Sequence, residues 1–260
     1  TPSERFERPT APEARPYCII SALFRGFLIM AGMGVLTIPY FFACLFMLPW
    51  RVARIRLGNR VGSAVGRWVC FVLDISYETR GPAPADLAPA LFVQNHTGNL
   101  DLFVAMQLCP APGCGTLKRE VLRIPFIGVG YVLSGHLLID RANRDSAIKS
   151  MDAITRLVRS DRISVWILPE GTRSRTGELK PFKKGFAHLA LATGLPIVPV
   201  VLHEGHRFWP GGLTVRPGRV LIDILPPIPT HDWTEENLSE HIAEVEQAFR
   251  NTLAAHQLIQ

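Results

Sequence analysis

The hydropathy of the chain is unevenly distributed. From Gly26 to Pro49 no residue is charged. One helix over that run, at about 1.5 Å per residue, would reach across a bilayer core of ~30 Å. The run lacks the polar stripe of a helix at the surface of a soluble core. Pro39 falls near its middle, where a proline kinks or breaks a helix. Further on, short runs rich in Val, Ile and Leu are bounded by Gly, Pro or charge: Val72–Glu78, Leu91–Gln94, Leu137–Ile139, Ile163–Leu168, Ile197–Leu202 and Val220–Leu225. These predict buried strands. Helical spacing lies between several of them. Asp145-Ser146 can cap a helix carrying Ile148, Met151, Ile154 and Val158. Phe182–Thr193 is closed by Gly194 and Pro196, and Leu238, Ile242, Val245, Phe249 and Leu253 mark a C-terminal helix. Strands alternating with helices predict an α/β fold, a largely parallel sheet flanked by helices, behind an N-terminal helical membrane-associated segment.

Length and charge refine this picture. A chain of 260 residues suits one domain with a small appendage. The expected division is a Pro- and charge-rich tail over 1–16, a hydrophobic helical segment over 17–66, and an α/β domain over 67–260. Net charge is +6, which suits anionic lipid or phosphate-bearing substrates. Nucleic acid is disfavoured, because the basic residues are not interleaved with aromatics. Arg5, Arg8, Arg15 and Arg25 precede the apolar run, and Arg51, Arg54, Arg56 and Arg60 follow it. Positive charge prefers the cytoplasmic side, so a re-entrant hairpin turning near Pro39 is favoured over a single span. The five cysteines are odd in number and scattered, which points to a reducing compartment and not a disulfide framework. Cys109 and Cys114 lack the further ligands a metal clip needs, so no metal site is expected.

Three polar clusters each follow directly on a predicted strand: His96 after Leu91–Gln94, Asp140-Arg141 after Leu137–Ile139, and Pro169-Glu170-Gly171-Thr172-Arg173 after Ile163–Leu168. Open α/β sheets bind ligands beyond the carboxyl ends of their strands. His96 and Asp101 stand five apart. On one continuous helix their side chains would diverge by about 140°. With His96 in the strand-to-helix turn and Asp101 in the first turns of the helix they can meet, and Gly98-Asn99 suits such a turn. A His–Asp pair of that kind takes a proton from an attacking hydroxyl while the carboxylate holds the imidazole. By spacing alone, a helix cap is the commoner meaning of such a pair. No Gly-x-Ser-x-Gly elbow is present to supply a protein nucleophile.

Asn95-His96-x-x-x-x-Asp101 resembles the first signature block of the glycerolipid acyltransferase family, and later blocks follow in that family's order. Lys118-Arg119-Glu120-Val121-Leu122-Arg123-Ile124-Pro125-Phe126-Ile127-Gly128 looks like its Lys-x-Glu-Leu…Pro…Gly stretch. Gly135-His136-Leu137-Leu138-Ile139-Asp140-Arg141 is similar to the second block, Leu168-Pro169-Glu170-Gly171-Thr172-Arg173-Ser174 to the third, and Ile197-Val198-Pro199-Val200 to the fourth. The likeness spans Leu91 to Pro227 and is nearest to the bacterial members that acylate lysophosphatidate. Thr97-Gly98 replaces the usual Gln-Ser, and Leu168 the usual Phe.

The resemblance implies acyl transfer from acyl-CoA or acyl carrier protein to the hydroxyl of a lysophospholipid acceptor at an anionic membrane, on the cytoplasmic face of a bacterial inner membrane. The thioester donor is already activated, so no cofactor is expected. His96 and Asp101 would carry the chemistry. Lys118 and Arg173 would hold the acceptor phosphate, with Arg141 a further contributor. Gly171 would add a backbone N–H and Thr172 a hydroxyl. Glu170, acceptor-only when ionised, would orient Arg173 or take a substrate hydroxyl. The oxyanion needs donors, for which backbone N–H groups at the start of the helix after His96 are the nearest. Another lysolipid acceptor, such as a lyso-ornithine lipid, and hydrolysis of the thioester by the same pair remain alternatives.

Overall fold

The computed structural model describes residues 16–115, 127–136, 144–174 and 176–258. Lys118, Arg141 and the expected strand Leu137–Ile139 lie outside them, as does the tail over 1–15.

The apolar run forms α1 (Ile19–Phe46), which continues through Pro39. The proline ring leaves the Val35 carbonyl without its usual helical partner, and packing of α1 against its neighbours offsets that loss. The chain turns instead at residues 47–50, where Pro49 pushes the preceding residue out of helical geometry and charge begins at Arg51. From there α2 (Arg51–Val72) runs back along α1. Trp68 Nε1 donates to the Leu28 carbonyl at 3.1 Å, and Arg25 donates to the Val72 carbonyl. A hairpin therefore exists, but its turn is not at Pro39. Its arginines also do not gather at one end: Arg25 sits beside Val72, whereas Arg51 and Arg54 lie at the opposite end. There they donate to the Gly135 and Leu133 carbonyls, just after and at the end of α4 (Ile127–Leu133).

The sheet has six strands among the described residues: β1 (Ile75–Arg80), β2 (Leu91–Gln94), β3 (Gly113–Gly115), β4 (Ser164–Ile167), β5 (Ile197–Leu202) and β6 (Gly218–Ile224). Their order is β1-β6-β5-β2-β4-β3. Every neighbouring pair is parallel except β5 and β6. β1 starts later than the hydropathy suggests, because α2 absorbs Val72 and Asp74 turns the chain with φ 54°.

Alternation along the strands divides the core in two. Phe92, Trp166, Val198, Val200, Val220 and Ile222 face α2 and α3 (Leu100–Leu108). Leu91, Val93, Val165, Ile167 and Val201 face α5 (Arg144–Asp161), α6 (Gly185–Thr193) and the C-terminal helix α8 (Leu238–Gln257). A single turn, α7 (Gly205–Phe208), follows β5. Phe92 and Trp166, partners in register across β2 and β4, stack with centroids 5.1 Å apart beneath α3. The helix after β2 is thereby seated on a rigid platform.

Candidate active site

The site is assembled where β2, β4 and β5 end side by side. Asn95 leaves β2 and is buried. Its amide donates to the Leu202 carbonyl at 2.9 Å and accepts the Leu202 N–H at 2.8 Å, tying the end of β2 to the end of β5. Gln94, one residue earlier, accepts the Trp166 indole N–H at 2.8 Å from β4. His96 thus projects from a clamped strand end.

Asp101 lies in the first turn of α3 and is fully buried. Its Oδ2 meets His96 Nδ1 at 2.7 Å. The same oxygen accepts the Thr97 N–H at 2.5 Å and the Gly98 N–H at 2.9 Å. Backbone amides only donate, so Oδ2 is the acceptor and the hydrogen sits on Nδ1. His96 Nε2 then carries the lone pair, and it has no hydrogen-bond partner among the described residues. The His96 side chain is 22% exposed, enough to meet a substrate. Gly98 is required by closeness: a Cβ there would lie 2.7 Å from the Trp209 carbonyl oxygen.

The backbone donors expected to serve an oxyanion are already engaged. Thr97 and Gly98 bind Asp101, and the Asn99 N–H binds the Trp209 carbonyl at 3.0 Å. The first two hold the Asp101 carboxylate against His96.

The segment after β4 faces this turn. Gly171 adopts the left-handed conformation, φ 70°, which glycine adopts without strain. Its N–H is donated to the Leu168 carbonyl at 3.3 Å, so it is committed to the turn and is not open to a phosphate. Glu170 departs further from expectation. Its Oε1 accepts the His96 N–H at 2.7 Å and its Oε2 the Lys180 N–H at 3.2 Å. The carboxylate therefore braces the backbone of the histidine. It does not hold Arg173, whose guanidinium donates to Asn99 Oδ1 at the start of α3. Burial pushes the Glu170 carboxyl up to about 7, against the opposing effect of its two backbone N–H partners. Ser174 N–H closes the arrangement by donating to the His96 carbonyl at 2.7 Å.

A protein-family model described as acyltransferase matches residues 76–203, the stretch from β1 to the end of β5. A 1-acyl-sn-glycerol-3-phosphate acyltransferase of Limnanthes douglasii is 36% identical over 93% of this chain and 86% of its own length. The chain belongs to the acyltransferase family. A bacterial relative with the same description, from Escherichia coli, is 35% identical over 70% of this chain and 75% of its own. The crystal structure of the 1-acyl-sn-glycerophosphate acyltransferase from Thermotoga maritima shares the fold, with a TM-score of 0.74 at 20% identity over 92% of this chain and 95% of that one.

Within the acyltransferase fold, Thr172 and Arg173 stay exposed at the mouth of the site. Lys180 joins them: its Nζ donates to the Arg173 carbonyl at 2.8 Å and to Thr172 Oγ1 at 3.4 Å. In sequence Lys180 belongs with Lys183 and Lys184, a run more often found on a solvated face; only the returning loop reveals it. Deeper, a cavity of about 120 Å³ opens between α1, α2, α3 and α4. Its walls are mainly apolar and include Leu102 of α3 and Leu168 just after β4.

Proposed function

We propose that this acyltransferase is a membrane-associated 1-acyl-sn-glycerol-3-phosphate O-acyltransferase, taking its acyl group from acyl-CoA or acyl carrier protein and giving phosphatidate. The observation that carries this reading is the His96–Asp101 pair. Its partly exposed imidazole leaves a strand end beside the loop that carries the exposed Arg173, and an apolar cavity opens on the other face of α3. These surroundings suit a molecule with a phosphate at one end and hydrocarbon at the other.

The steps follow from that layout. Arg173 offers a planar fork to the acceptor phosphate, with Lys180 adding positive charge beside it; Lys118 and Arg141 are further phosphate contacts in this reading. The donor's acyl chain enters the cavity. His96 Nε2 removes the proton from the acceptor hydroxyl as its oxygen attacks the thioester carbonyl carbon. Buried Asp101 stabilises the imidazolium that forms. When the tetrahedral intermediate collapses, the C–S bond breaks and His96 returns the proton to the departing thiolate. The activated thioester drives the transfer, so neither ATP nor a metal is needed.

Membrane association is supported by α1. It is long and apolar enough to cross a bilayer, with mean hydropathy 2.0, and only 22% of its most apolar window is buried. Ile20, Phe24, Phe27, Val35, Ile38 and Phe42 recur at helical spacing and are exposed along its whole length. This face sits in the membrane, at the cytoplasmic side of a bacterial inner membrane, and brings the lipid acceptor to the site.

The test is turnover of palmitoyl-CoA with lysophosphatidate by purified full-length protein in lipid vesicles. Phosphatidate should form, and His96→Ala should lower kcat on the order of 10²–10⁴-fold. Near-normal activity in that variant, or release of free fatty acid in place of acylated lipid, overturns the reading.

A further inference from the structure

The cavity changes character along its length. α2 runs antiparallel to α3 beside it: Gly66 faces the Phe103 carbonyl near the start of α3, and Gly62 faces Met106 one turn on. Gly58 lies a further turn away, about 12 Å along the axis from Gly66, at the end remote from Asp101. A Cβ on Gly58 would stand 3.0 Å from the Tyr40 hydroxyl, 3.0 Å from Ser134 Cβ and 3.6 Å from His136 Nε2. The apolar cavity therefore ends among polar side chains.

Two of those groups are satisfied. Tyr40 donates to the Gly130 carbonyl at 3.3 Å and Ser134 to the Tyr131 carbonyl at 2.7 Å. His136 is not. Its ring stacks on Tyr131 with centroids 4.8 Å apart and 16° between planes. Its Nδ1 is sealed from solvent with no hydrogen-bond partner among the described residues, and its Nε2 is the nitrogen beside Gly58. Burial and the neighbouring Arg51 charge push the imidazole down to about 4, so the ring is neutral at physiological pH. His136 lines the cavity, and its Nε2 takes no hydrogen bond among the described residues. A saturated chain laid against it leaves that nitrogen unpaired, whereas a hydroxyl at that depth can bond it.

We propose that His136 is a specificity-determining residue that selects acyl chains carrying a hydroxyl group on the segment that reaches Gly58. The inference rests on the reading that this cavity holds the acyl chain of the donor. It makes the far wall a polar reader within an otherwise apolar groove. A site built to bond a hydroxyl rejects the analogue that lacks one more sharply than an apolar site rejects a hydroxyl.

The experiment compares palmitoyl-CoA with monohydroxypalmitoyl-CoAs whose hydroxyl is moved along the chain, in wild type, His136→Phe and His136→Gln. Phe keeps the ring stacked on Tyr131 without its nitrogens, and Gln keeps a hydrogen-bonding group. In wild type, one hydroxyl position should exceed palmitoyl-CoA in kcat/KM by roughly tenfold. That ratio should fall to one or below in His136→Phe and recover in part in His136→Gln. Thermal stabilisation by free hydroxypalmitates against palmitate reads the cavity without turnover and should show the same preference. If it does while no acyl-CoA is consumed, the donor reading fails and the selection of acyl donors by His136 fails with it. If palmitoyl-CoA is consumed but neither measurement favours any hydroxyl position, or the preference survives in His136→Phe, the inference is overturned.

Discussion

The two sides of the site are built on opposite plans. On the β2–α3 side, Asn95, Asp101 and the amides of Thr97, Gly98 and Asn99 are bonded within the protein, and only one nitrogen of His96 is left open. On the β4 side, buried Glu170 anchors a loop whose tip, Thr172 and Arg173, stays exposed. One side fixes a proton acceptor in a single orientation before any substrate arrives. The other keeps a long cationic side chain exposed, resting on Asn99 Oδ1 where a headgroup could displace it. Under the proposed reaction, preorganisation is concentrated where charge develops, and adaptability where the acceptor phosphate docks.

Substitutions can break this contrast. The largest effect is expected from Asp101→Asn. An asparagine can keep its oxygen toward His96, Thr97 and Gly98 while its NH2 faces the Thr97 hydroxyl, which now stands 3.3 Å from Asp101 Oδ1. Orientation would survive and only the negative charge would be lost. Steady-state kinetics should show kcat down on the order of 10²–10⁴-fold with KM little changed. A change confined to KM would mean that the first side binds and does not catalyse. Arg173→Ala should do the reverse. Losing a charge-assisted contact should raise KM for lysophosphatidate about 10- to 100-fold, with a much smaller fall in kcat. An acceptor without phosphate should not notice the change; if it suffers equally, the arginine is not reading the headgroup.

The smallest effect sharpens the link between the two sides. Burial pushes the Glu170 carboxyl up to about 7 in the folded chain, above its ordinary 4.5. Folding therefore favours its protonated form. The stability it contributes is complete below about pH 4.5 and is lost as pH rises through about 7. Glu170→Gln removes that titration. Unfolding free energies of wild type and variant should diverge across this window, with wild type losing ground as pH rises. Parallel curves would show that Glu170 carries no such burden. Glutamine has one acceptor where two backbone N–H groups need one each, so the variant should also lose some kcat.

Much of this was legible in the chain. Leu91–Gln94 and Ile197–Leu202 match their strands because β-branched runs between breakers are local signals. The meeting of His96 and Asp101 followed from a turn containing Gly98-Asn99. Other features depended on contacts far apart in sequence. β3 is Gly-Cys-Gly and carries almost no hydropathy. The hairpin turn moved from Pro39 to residues 47–50 because packing holds a helix through its proline. Glu170 looked like a ligand because nothing in its own segment reveals that His96, 74 residues earlier, would claim its oxygen.

The amide clasp between Asn95 and Leu202 joins residues 107 positions apart. A nascent chain therefore completes α1 long before it can set its histidine in place. Contacts of such long range form after local ones. The frame around His96 is complete only when β5 has been made and has docked, so an unfinished chain carries the histidine without the clasp that sets it.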